Sequence, residues 1–169
     1  MRQKSLRYLF ASAIITTALS LLIGGFATLS VKNSQIQVID SQLNTIANSV
    51  RKNPSAPVSA ALNSAAEQDF NVTIALVSAS GELSIINESQ LNLQVPPTDS
   101  IISIAQFSAT TVSADEDYRL ISVSISGGDR LLLADSLKAA DETYSDNLIR
   151  LILFTFVADV IAISLSYLV

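Results

Sequence analysis

Asp159 is the side chain whose position most demands a chemical reason. It lies inside an apolar run, Leu148–Val169, where an ionisable group is expensive and points by default to function. It could pair across a dimer, join a polar stripe with Thr155 and Ser166, or stay protonated. Arg119 and Arg130 stand near the ends of two segments expected to pair as strands. On one face they would hold a small carboxylate bidentately; ion pairs with the neighbouring Glu116 and Asp129 are the plainer use. Asp115-Glu116-Asp117 offers oxygen ligands of the kind a hard cation takes. Three adjacent residues cannot all point one way, though, and no glycine-containing calcium loop surrounds them, so a solvated loop is expected and no metal site.

Other chemistry is excluded by what the 169 residues lack. There is no histidine and no cysteine. Histidine bases, histidine or thiolate metal ligands, a phospho-accepting histidine and disulfides are therefore all ruled out for this sequence. Neither a P-loop nor a G-x-S-x-G elbow occurs. No catalytic residue and no cofactor is expected within these residues.

A further set of small residues recurs at every fourth position: Ser12, Thr16, Ser20, Gly24 and Thr28. Such spacing lets two membrane helices approach closely and bond through hydroxyls. A step of four drifts by about 40° per repeat on a 3.6-residue helix, so no straight face holds all five. The partner helix is not identified by the spacing.

These residues need elements to carry them. Two apolar runs, residues 8–29 and 148–169, each approach the roughly 20 residues that a helix needs to cross hydrocarbon. Arg2, Lys4 and Arg7 precede the first run, whereas residues 31–147 hold 14 of the 15 acids and six of the ten bases. Basic flanks stay cytoplasmic, so residues 1–7 are expected inside and residues 30–147 outside. Arg150 runs mildly against this and would snorkel to the interface. Gly25-Phe26-Ala27 resembles a cleavage site, but the apolar core is longer than a signal peptide needs, which predicts an uncleaved anchor. The acidic balance argues against nucleic acid.

Beyond the first run, Ile36, Ile39, Leu43, Ile46 and Val50 alternate steps of three and four. This is a helical seam that would serve either a dimer or a core face. It predicts a helix continuing unbroken from the membrane to Asn53-Pro54. A second helix is expected over residues 57–68, capped by Ser55. Strands are expected over 71–78 and 82–87 around a turn at Ser80-Gly81, the first of them internal because both its faces are apolar. Pro96-Pro97 breaks the chain before a short helix at 98–106, and 107–113 is a weaker strand. Tyr118–Ser126 reads as an amphipathic strand, with Ile121, Val123 and Ile125 on one face and Ser122, Ser124 and Ser126 on the other. Gly127-Gly128-Asp129 turns it into 130–135, and Ser136 caps a helix that runs through 137–147 into the second apolar run. The whole is an α+β domain, a mostly antiparallel sheet of about five strands with flanking helices, set between two membrane helices.

This arrangement resembles the N-terminal region of bacterial two-component sensor histidine kinases. Two stretches carry the likeness: Phe70–Leu83 (FNVTIALVSASGEL), a strand, small-residue turn and strand, and Tyr118–Leu137 (YRLISVSISGGDRLLLADSL). The resemblance implies a PAS-like (PDC-type) core over residues 54–136, entered by a juxtamembrane helix over 30–53. It implies a homodimer in the bacterial inner membrane, in contact with the lipid bilayer. It also implies a linker, a histidine-bearing helix and an ATP- and magnesium-binding kinase part beyond Val169, acting on a cytoplasmic response regulator. Chemoreceptors and membrane-bound cyclases share such input modules. A stand-alone two-span binding or assembly protein is the reading that needs no downstream part.

Overall fold

Helix α1 (Arg2–Lys52) carries the first apolar run and the seam that follows it without interruption. It is seen in a computed structural model that describes residues 2–87, 91 and 97–168, and the side chains of 13–87, 91 and 97–164. The chain divides into two compact units, residues 1–34 with 140–169, and residues 35–139.

The unit formed by residues 35–139 is built on one antiparallel sheet. After α2 (Pro57–Glu67) come β1 (Thr73–Val77), β2 (Leu83–Ile85), α3 (Asp99–Ile104), β3 (Thr110–Val112), β4 (Tyr118–Ser124) and β5 (Arg130–Ser136), and α4 (Lys138–Leu168) starts as the sheet ends. The strand order is β2-β1-β5-β4-β3. β1 is internal, as its apolar faces require. The class is thus α+β, with one five-stranded antiparallel sheet and helices.

Each face of the sheet has its own core. On one, Ile74, Ile121, Val123, Leu131 and Leu133 pack with Leu43, Ile46, Ala47 and Val50 of α1 and Ala61 and Ala65 of α2. The seam in α1 is therefore a core face of its own domain. On the other, Ala75, Val77, Leu120, Leu132 and Ala134 pack with Ile102 and Ala105 at α3. Burying that second face corrects the expected polar side of β4 at Ser122, which is 1% exposed, while Ser124 and Ser126 are exposed as expected. The small side chain of Ser122 leaves room for the α3 end, where the Ser122 N–H donates to Ala105 O at 3.0 Å. The Ser122 hydroxyl finds no partner among the described residues.

The turns follow their residues. Gly127 (φ 89°) and Gly128 (φ 87°) take left-handed conformations that only glycine adopts freely, and Ile125 N–H bonds Asp129 O across the turn. α2 ends on a left-handed Asp69 (φ 53°), with Phe70 N–H reaching back to Ala65 O at 2.9 Å in a Schellman arrangement. Its start departs from expectation, because Ala56 and not Ser55 is the N-cap, without a side-chain bond. Ser136 does accept the Lys138 N–H at 3.0 Å at the start of α4. β2 is shorter than expected. Where its ladder stops, the Asn87 amide takes over, accepting from Ile74 N–H (2.5 Å) and donating to Val72 O (2.7 Å). The Pro96 half of the expected chain break lies outside the described residues.

In the unit formed by residues 1–34 and 140–169, two helical segments are long and apolar enough to cross a membrane. Their large side chains face outward, Ile23 at 69%, Phe26 at 73% and Phe154 at 71% exposure. Helices apolar on the outside and unburied by protein are those that a nonpolar solvent would cover.

Candidate functional site

Asp159 has a partner in its own chain. Within the helix-pair unit the Thr17 hydroxyl lies 2.8 Å from both Asp159 carboxylate oxygens and 2.9 Å from Ala13 O. A threonine hydroxyl commonly bonds the carbonyl four residues back, so Thr17 is oriented by its own helix before it meets the other. Further contacts bind the helices. Leu151 packs on Gly24 so closely that a β-carbon there would overlap its side-chain methyls. Lys32 Nζ is 2.5 Å from Asp141 Oδ1 and lies 5.4 Å above the Tyr144 ring, a combined ion pair and cation–π contact. Levels 17/159, 24/151 and 32/141 run in opposite chain directions, as an antiparallel pair must.

The stripe of small residues divides along its length. Gly24 lies against Leu151, and Thr28 is buried and bonds Gly24 O at 2.8 Å. Thr16 and Ser20 are exposed, and the side chain of Ser12 lies outside the described residues. The drift of a four-residue step explains the division: the residues at the contact, 17, 24, 28 and 32, advance by seven, four and four, so the stripe meets the contact at Gly24 and Thr28 but not at Thr16 and Ser20. Thr17 was the residue missed, and its signal was the seven-residue step back from Gly24. On α4 the half-buried residues Leu148, Leu151, Thr155 and Asp159 advance by three, four and four. Thr155 thus shares a face with Asp159, while the side chain of Ser166 lies outside the described residues.

Arg119 and Arg130 are not brought together. Arg119 stands opposite Asp135 in the β4–β5 register and Arg130 opposite Ser124, an odd step apart on β5, so they project from opposite faces of the sheet. They make no joint carboxylate clamp. Arg119 instead grips Asp40 of α1 with two bonds, Nε to Oδ1 at 2.7 Å and Nη2 to Oδ2 at 2.6 Å. Nη1 donates to Thr111 Oγ1 (2.7 Å) and Nη2 also to Ala109 O (2.8 Å). The Arg119 side chain is 14% exposed and that of Asp40 28%. On the other face, Arg130 leaves Nη1 buried without a partner among the described residues, and Asp129 accepts from Ala79 N–H instead (2.9 Å).

Asp135 belongs to the Arg119 cluster by register, on the α1 side of the sheet. Burial pushes its carboxyl up from 3.8 to about 6, offset in part by a backbone bond from Ser136. On the opposite face, burial also raises the Tyr118 phenol. Asp40 was detectable only as an acid flanking the seam between Ile39 and Leu43; Asp135 carried no separate signal, because its importance comes from strand register. The acidic loop 115–117 is tied down at two points, Ser136 Oγ donating to Glu116 and Leu137 N–H to Asp117 O. Among the described residues no three acidic groups converge to hold a metal.

No family model, no curated protein and no solved structure matches this chain.

Proposed function

We propose that this chain is a signal-input module: two membrane-crossing helices, N-terminus inside, carrying an extracytoplasmic α+β domain whose changes of state are passed inward along the helices. The observation that carries this reading is the Thr17–Asp159 hydrogen bond between two otherwise apolar helices. A carboxyl group placed in hydrocarbon needs a reason, and specifying how two helices meet is a sufficient one. The basic N-terminus and the acidic middle segment support the orientation. The strand order β2-β1-β5-β4-β3 supports a PAS-like domain. In this reading the chain acts as a homodimer and drives an output part, a histidine kinase using ATP and magnesium to phosphorylate a response regulator. A chemoreceptor or cyclase output would use the same input.

Two measurements test it. The chain has no cysteine, so single cysteines report topology without background: Ser113→Cys should react with an impermeant maleimide on intact cells and Gln3→Cys should not. Fused ahead of a histidine-kinase output, residues 1–169 should show altered basal phosphotransfer on Thr17→Val or Asp159→Leu. Output indifferent to both, with the protein correctly inserted, removes the signalling reading.

A second reading, a two-span binding or assembly protein, draws on Phe107 and Ile104, which are 89% and 57% exposed on the sheet domain. A photo-crosslinker at 107 that captures one discrete protein partner would favour it.

A further inference from the structure

Three side chains stand in a row across the α1 side of the sheet: Thr111 on β3, Arg119 on β4 and Asp135 on β5, each directly opposite the next. Arg119 is the only cation of the row and leans to one side. It bonds Thr111, Ala109 O and, through both oxygens, Asp40 of α1. Asp135, the neighbour on its other side, makes no ion pair among the described residues. Two carboxylates therefore compete for one guanidinium, and the one left out carries its charge, when it has one, in a half-buried position.

We infer that Asp135 is a proton-binding site that decides whether Arg119 stays on Asp40, so that protonation latches the 35–52 part of α1 onto the sheet and deprotonation loosens it. With Asp135 neutral, Arg119 has one charged claimant, which it holds in the two-bond geometry that suits a carboxylate. With Asp135 ionised, a second claimant of equal charge appears beside it. The guanidinium is then drawn toward β5, and the Asp40 bonds that tie α1 to the sheet weaken. The charged groups on the flanking elements are Asp40 on α1, Arg119 on β4, Glu116 and Asp117 in the loop entering β4, and Lys138 opening α4. β1 brings Ile74 and Leu76 to this side, preceded by Val72, and adds no charged group there. Glu116 is engaged with Ser136 and is not a third claimant on Arg119, and Lys138 is exposed and does not replace Arg119 as the cation. The shift of Asp135 to about 6 sets the range in which the exchange would run. The inference concerns the sheet domain alone and holds or fails independently of the signalling role.

The test is an NMR titration of the full chain in detergent micelles, with carboxyl-labelled aspartate and labelled arginine, from about pH 4.5 to 8. The Asp135 carboxyl should titrate near 6, and the Arg119 Nε resonance and amide protection over residues 36–44 should move with the same midpoint. Asp135→Asn should hold both at their acid-side values throughout. The wild-type titration decides the matter even if that variant does not fold. An Arg119 resonance that stays put while Asp135 titrates overturns the proposal, as does protection whose pH dependence survives Asp135→Asn.

Discussion

The helix pair and the sheet domain solve opposite packing problems. In the helix pair the large apolar side chains face outward, and the contacts between helices are a hydroxyl on a carboxylate, a leucine on a glycine and a lysine on an aspartate. In the sheet domain leucines and isoleucines fill both faces of the sheet, and the Arg119–Asp40 ion pair sits at the margin of a core. Where the surroundings are as apolar as leucine, burying leucine drives nothing, and close approach and polar bonds must hold the helices together. Where the surroundings are water, area burial supplies the energy, and a polar contact selects a geometry. Equivalent substitutions should therefore have unequal effects in the two regions.

The largest inequality is expected for leucine. Leu133 is fully buried, so Leu133→Ala should lower the stability of the sheet domain by about 2–5 kcal/mol in thermal or urea unfolding. Leu153, 59% exposed on the helix pair, should tolerate the same change within about 0.5 kcal/mol. Equal losses at the two sites would mean that protein and not lipid covers the outer face of α4.

Arg119→Ala comes next, at about 2–4 kcal/mol, because it strands Asp40 and removes four charge-assisted or neutral bonds at a mostly buried position. Arg119→Lys should recover only part of the loss, since an ammonium cannot reproduce the planar fork. In the helix pair the corresponding change, Asp159→Ala, should cost about 1–2 kcal/mol in an SDS titration followed by circular dichroism. A loss at Asp159 larger than that at Arg119 would reverse the ranking of the two regions.

The sequence disclosed periodicity well and pairing poorly. The apolar runs, the seam from Ile36 to Val50 and the strands around β1, β4 and β5 are local patterns, and they reappear at nearly the expected residues. Gly81, Gly127 and Gly128 announced their turns because their left-handed backbone requires glycine. Site residues were legible only in part. Asp159 stood out by its surroundings, but its partner Thr17 is 142 positions away and one of many hydroxyls in that helix. Arg119 and Arg130 looked like a pair from their nearness to strand ends. Their separation onto opposite faces depends on a register fixed by both strands at once, which no single segment contains. Ser122 shows the same limit, since its alternation with isoleucine predicted a wet position that is in fact buried against the end of α3, although Ser124 and Ser126 are exposed as expected.

The smallest expected effect separates the regions by pH. Asp135 rises from 3.8 to about 6 on folding, so the folded state binds its proton more tightly than the unfolded chain does. Its contribution to stability is complete below about 3.8 and is lost as the pH rises through about 6. The sheet domain should therefore lose stability between mildly acid and neutral pH, by roughly 1 kcal/mol once solvent at this half-open site is allowed for. This runs opposite to the usual behaviour of carboxylates that are paired in the native state, which stabilise a fold as the pH rises. Melting the full chain in micelles at several pH values, alongside Asp135→Asn, isolates the effect: the variant should lack this component of the slope, and Asp135→Glu should retain it. If the variant and the parent melt in parallel across that range, Asp135 is not the group that titrates, and the contest for Arg119 loses its chemical basis.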